Sequence, residues 1–227
     1  VTAGTAVTSQ SEALLNVNVA TTITESPPVG FALQSITCTG LGAGTATPTI
    51  NGINGGSVLL SAAAAVSGNN IVCTFTNVRL PTITIGTPVT VAEGTATQNV
   101  ITLSAASAQA ITVTLGTTFG TAAAADIGAA GTQTYSTDGG ATFIPVPASG
   151  ILTIPAGVTA VQVRTVTIDD LLTELAETFS LNISAPTGAV LGAAATQTVQ
   201  NTITASDPAT EIQAALGATT PTVVSPG

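Results

Sequence analysis

Apolar residues fall on every second position over short stretches of this chain, and Gly, Pro and Asn interrupt the stretches. Successive side chains of a strand point to opposite faces, so such runs predict strands with one buried face. In the first part, Leu15, Val17 and Val19 of LLNVNVA share a phase, as do Ile36 and Cys38 of SITCTG and Ile71, Cys73 and Phe75 of IVCTFTN. After NVRLP, where Pro81 marks a short linker, the same period returns in VITL, AITVTL (Ile111, Val113, Leu115), ILTI and TFSLNIS (Phe179, Leu181, Ile183). Asp138-Gly139-Gly140 between QTYST and ATFIPV predicts a hairpin. In AVQVRTVTI the apolar phase passes from Val161 and Val163 to Val166 and Ile168, which predicts a bulge or a strand buried on both faces. Many short strands at this spacing predict an all-β chain of two tandem antiparallel β-sandwiches. Near the end, DPATEIQAALG (Asp207 to Gly217) predicts a short C-terminal helix, with Asp as N-cap, Pro in the first turn and Gly after the last. ATTPTVVSPG then reads as a linker or a lone strand.

Composition narrows the function classes. The chain has 227 residues, 44% of them hydrophobic, enough for one large or two modest cores. Arg79 and Arg164 are its two basic residues against 11 acids, a formal charge of −9, and Lys and His are absent. A surface so poor in cations cannot track a phosphate backbone or an anionic membrane, which argues against nucleic acid and lipid partners. The Ala-rich VLLSAAAAV ends at Ser67-Gly68, far short of the roughly 20 apolar residues of a membrane span. Because the chain opens at Val1, removal of a signal peptide or a longer precursor is expected, unless it is a fragment. Without His or Lys, and with Tyr135 as the one tyrosine, the usual general base, Schiff-base lysine and Ser-His or Cys-His pairs are missing. A two-carboxylate glycosidase built on Asp169 and Glu174 would need aromatic sugar platforms, and aromatics make up 3% of the chain. A non-enzyme is expected. The Gly-x-Gly-x-Gly of residues 40 to 44 lacks the lysine of a phosphate loop. The inward-phased Cys38 and Cys73 predict one disulfide in an exported chain, with a buried thiol pair as the alternative. Asn182-Ile183-Ser184 is a glycosylation sequon inside a predicted strand, where chance occurrence is expected.

IDDLLTELAETF (Ile168 to Phe179) concentrates Asp169, Asp170, Glu174 and Glu177 in a chain that is only 6% charged. Its good helix formers and early acids fit an acid-capped helix. It also follows one strand and runs into another of period two, which fits a loop, and a loop crowded with carboxylates is offset by a bound cation. VAEG (Val91 to Gly94), GTAAAAD (Gly120 to Asp126), IPAG (Ile154 to Gly157) and TIDDLLTELAETFSLNISAPTGAVLG (Thr167 to Gly192) together resemble the Calx-beta domain, over about Leu80 to Ala205. The resemblance implies an immunoglobulin-like sandwich at 81–205, followed by a tail at 206–227. It also implies a calcium site from Glu93, Asp126, Asp169, Asp170 and Glu174 at one end, with Glu177 a weaker candidate. Calcium takes six to eight oxygen ligands at flexible geometry, which suits carboxylates from several loops. The chain departs from the family pattern at NTITASD, which offers only Asp207 in place of a run of Asp, and at Ile127, where an aromatic usually stands.

In the first part, 1–80, TTITESPPVGFALQSITCTG followed by NNIVCTFTN resembles bacterial surface-protein sandwich repeats, which implies an extracellular or cell-surface location and carries no catalytic residues. The absence of lysine excludes Lys-Asn isopeptide cross-links. Tails such as VTAGTAVTSQ and TTPTVVSPG are usually disordered when free. A strand-like tail is ordered by adding to a neighbour's open sheet edge. The expectation is therefore a subunit of an extracellular homopolymer joined head to tail through its terminal segments and stabilised by calcium. The alternative is a repeat of a large adhesin that contacts neighbouring repeats and binds a surface or glycan.

Overall fold

A computed structural model describes residues 17–128, 133–169, 175–192 and 196–206. Leu15, Asp170, Glu174, both tails and the predicted helix at Asp207 to Gly217 lie outside them. The chain divides into two compact units, Val1–Leu80 and Pro81–Gly227. Both are β-sandwiches, and the one helical element among the described residues is a 3-10 turn at Gly52–Asn54. No helix among the described residues is long and apolar enough to cross a membrane.

In the first unit, β1 (Thr21–Glu25), β4 (Gly56–Leu60) and β3 (Ala46–Ile50) form one sheet in that spatial order, and β2 (Phe31–Thr39) pairs with β5 (Val72–Arg79) to form the other. The alternation works as expected: Val58 and Leu60 are buried with Leu33 and Ile36, while Leu59 between them faces out. Cys38 and Cys73 stand opposite each other in the β2–β5 ladder and form a disulfide. Of the strand expected at LLNVNVA, the described residues Val17 to Ala20 are not strand. Val17 to Val19 form a turn in which Asn18 takes a φ of 61° and its N–H donates to the Ala65 carbonyl, leaving Val17 and Val19 half exposed. Asn tolerates the left-handed conformation that breaks a period-two pattern.

The second unit packs a six-stranded sheet on a five-stranded one. The first runs β11 (Ile144–Pro145), β10 (Thr134–Ser136), β13 (Ala160–Val166), β8 (Ala96–Leu103), β6 (Thr82–Ile85), β15 (Val190–Leu191). The second runs β12 (Ile151–Ile154), β9 (Ile111–Phe119), β14 (Glu177–Thr187), β16 (Thr196–Thr204), β7 (Thr90–Ala92). Pairing is antiparallel except at two edges, where β15 runs parallel to β6 and β7 parallel to β16. Ile111, Val113, Leu115, Phe179, Leu181 and Ile183 fill the core from the inward rows of the neighbouring strands β9 and β14. The expected hairpin forms between β10 and β11.

The predicted irregularity of β13 does not occur. Val161, Val163, Thr165 and, just beyond the strand, Thr167 all face inward, while Val166 and Ile168 face out. Threonine is accepted inside because each hydroxyl is bonded: Gln133 Nε2 donates to Thr165 Oγ1 at 3.1 Å, and Thr167 Oγ1 donates to the Thr95 carbonyl at 2.7 Å. The bulge lies instead in β14, between Ser184 and Thr187, where Ala185 takes a φ of 46°.

A buried amide pair spans the second sandwich. Asn99 on β8 and Asn201 on β16 are buried and exchange amide hydrogen bonds of 2.9 and 3.0 Å. Asn99 also donates to the Thr87 carbonyl, and Asn201 Oδ1 accepts the Val89 N–H. The pair therefore pins the crossover from β6 to β7.

Candidate functional site

Among the described residues, most acids of the second unit lie at one end. Thr167 anchors the end of β13 there, donating to the Thr95 carbonyl and, at 3.3 Å, to that of Ala92. The Thr167 N–H bonds the Thr95 carbonyl as well, and the Ile168 N–H bonds the Asp126 carbonyl. The Glu93 N–H donates to the Thr204 carbonyl at the end of β16. These bonds bring the Glu93–Gly94 turn, the Asp126 segment and Asp169 to the same end. Gly94 has a φ of 71°, and a Cβ there would lie 2.9 Å from the Cβ of Asp169, so the turn sits directly against that side chain. Only a residue without a side chain allows this approach.

The predicted ligands are thus brought together only in part. Glu93 is 7% exposed and Asp169 lies over its turn, with Asp169 Oδ1 accepting a 2.8 Å bond from Ser206 Oγ. The carboxylate of Asp126 caps its own loop by accepting the Ala123 N–H. Glu177 opens β14 opposite Ile203. Asp170 and Glu174 fall outside the described residues, and among the described residues no three acidic, His or Cys side chains form a group able to hold a metal. Arg164, the unit's one basic residue, stands mid-sheet opposite Gln98 with its guanidinium 4.1 Å above the Phe143 ring. It does not offset the acids at the loop end.

The sequence marked Asp138-Gly139-Gly140 as a turn and missed what Asp138 does. Its carboxylate accepts Ser136 Oγ at 2.6 Å, the Thr142 N–H at 3.0 Å and the Thr142 hydroxyl, while Ser136 Oγ accepts the Gly140 N–H. The Ser136 and Thr142 bonds hold this carboxyl well below the usual carboxylate range. The flanking Ser and Thr of STDGGAT were the available signal. Asn182 of the sequon stands mid-strand in β14 with its amide bonded to Thr118 Oγ1.

No curated protein matches the chain. The resemblance of the second unit to Calx-beta domains has no matching family model behind it. The first unit does have one: residues 1–79 match the model of the SpaA-type prealbumin-like fold domain.

Proposed function

We propose that this chain is a non-enzymatic structural protein of the bacterial cell surface, a subunit of an extracellular filament joined head to tail through its terminal segments. The match of residues 1–79 to a SpaA-type prealbumin-like domain carries the reading, because it ties the first unit to surface structural proteins. The second unit adds rigidity through a continuous core of branched aliphatic residues between two sheets. Deleting Val1 to Gln10 tests the joint by negative-stain microscopy. A polymer joined through that segment falls to folded monomers, whereas unchanged filaments refute the N-terminal joint. Monomers from the intact chain at all concentrations would favour the adhesin-repeat reading.

Calcium belongs to the same proposal. The hard carboxylate oxygens of Glu93, Asp126, Asp169, Asp170 and Glu174 suit that ion, and the Gly94–Asp169 contact supports convergence of two of the contributing loops. Bound there, the ion would offset the repulsion among these acids and tie loops that no basic side chain ties.

A further inference from the structure

The two units treat their sheet edges differently. In the second, the edge strands β11, β15, β7 and β12 are two to four residues long, which gives a foreign strand little to pair with. In the first unit, β1 is only five residues long, β3 carries Pro48 and β2 carries a bulge between Leu33 and Ser35. β5 has no such device. It runs for eight regular residues without Pro, with its one charged residue, Arg79, at the end, and among the described residues only β2 pairs with it. Its inward side chains Cys73 and Phe75, and Ile71 just before it, pack on the core yet stay partly exposed. A long unblunted edge above a half-covered core is a template for one more strand.

A second observation points the same way. Asn77 on β5 donates to Glu25 Oε1 on β1 at 2.6 Å, across the sandwich. Glu25 Oε2 and Asn77 Oδ1 are buried and have no hydrogen-bond partner among the described residues. Both are acceptors, and a buried acceptor left unmet destabilises the fold. A strand added at this edge would bring a donor within reach of them.

We infer that the edge of β5 left unpaired among the described residues accepts residues 1–16 of a second copy of this chain as an added antiparallel strand. The inference rests on the polymer reading above, because the same contacts would also serve within one chain and that reading selects the second copy. Of the two segments outside the described residues at the chain ends, 207–227 contains Pro208, Pro221 and Pro226, which remove strand donors. Residues 1–16 contain no proline and carry six Thr, Ser and Gln donors at Thr2, Thr5, Thr8, Ser9, Gln10 and Ser11. Placing Leu15 opposite Cys73 puts Ala13 opposite Phe75 and Ser11 opposite Asn77, so apolar faces apolar and a hydroxyl faces the two unmet acceptors. At about 3.4 Å per residue, eight paired residues need only about half of the segment.

The test traps the strand by disulfide. In that register Glu12 lies beside Thr76, whose side chain is exposed on β5. The full chain carrying Thr76→Cys with Glu12→Cys, and a second variant carrying Thr76→Cys with Gln10→Cys, is assembled, mildly oxidised and run on a non-reducing gel. Circular dichroism confirms that each variant has folded. The expected result is a ladder of covalent oligomers from at least one variant, collapsed by reductant. In parallel, an excess of a synthetic peptide of residues 1–16 shortens polymers of the parent chain, and a scrambled peptide does not. Cross-links confined to single chains overturn the inference, as do filaments that form with no ladder and ignore the peptide, although such filaments leave the polymer reading intact. Absence of both filaments and ladder overturns the two together.

Discussion

Replacing Asn201 by Leu removes one half of the buried amide pair that joins the two sheets of the second unit. The remaining Asn99 keeps its bond to the Thr87 carbonyl but loses a donor and an acceptor contact, and the Val89 N–H loses its acceptor. At about 1–3 kcal/mol for each buried group left unmade, reduced by relaxation and by the gain in apolar volume, the single substitution costs roughly 3–5 kcal/mol. Asn99→Leu alone strands the Asn201 amide and the Thr87 carbonyl and costs roughly 2–4 kcal/mol by the same reasoning. Together, Asn99→Leu and Asn201→Leu delete both amides and leave only the Val89 N–H and Thr87 carbonyl unmet. The double variant is therefore less damaged than Asn201→Leu alone, at about 1–3 kcal/mol, and lies at least about 2 kcal/mol below the sum of the singles. The assay is guanidinium unfolding followed by tyrosine fluorescence. Tyr135 is the chain's only tyrosine, tryptophan is absent, and Tyr135 is buried in the second unit, so the signal reports that unit. Costs that simply add would show that the two asparagines do not act as a pair.

Three further outcomes follow from particular contacts. Thiol titration of unfolded, unreduced chain finds no free cysteine, and reduction lowers the stability of the first unit by about 4 kcal/mol in the loop-entropy account, since Cys38 and Cys73 are 35 residues apart. The Asp138 carboxyl stays ionised by NMR at about pH 3, below the usual midpoint, and Thr142→Val moves its titration upward. Because its folded value is lowered from 3.8, its contribution to stability is complete above that pH and fades as pH falls through the lowered value; a normal titration would contradict the loop geometry. Millimolar calcium raises the second unit's melting temperature, and Asp169→Asn with Asp170→Asn abolishes the rise without altering the melt in chelator. Identical melts of the parent chain with and without calcium would leave these acids as solvated loop residues.

Strands were legible where apolar residues marked one face, as in β9 and β14, because burial of Ile111, Val113, Leu115, Phe179, Leu181 and Ile183 is what sets the register. Misreadings came from polar residues standing in apolar roles and the reverse. Thr165 and Thr167 take inward positions because bonded hydroxyls are tolerated there, which made the exposed Val166 and Ile168 look like a change of face. Asn99 and Asn201 gave no signal, since nothing local says that two amides 102 positions apart satisfy each other. Val17 and Val19 alternate without being a strand, because Asn18 between them turns the chain.

The acidic end shows where motif and geometry part company. The Gly94–Asp169 contact and the Asp126–Ile168 bond place the segments of Glu93, Asp126 and Asp169 at one end. Spacing carries no information about what each carboxylate bonds once folded. Asp126 is spent on its own loop N–H and Asp169 is bonded to Ser206, so a cation must compete with those hydrogen bonds as well as with water. For the calcium site proposed above, that competition predicts weak, millimolar affinity. From it follows a distinction between screening and ligation: repulsion among solvated acids falls with any salt, whereas a carboxylate withdrawn from Ser206 or Ala123 must gain a direct cation bond in exchange. An effect of calcium that sodium at equal ionic strength does not reproduce is the mark of the second.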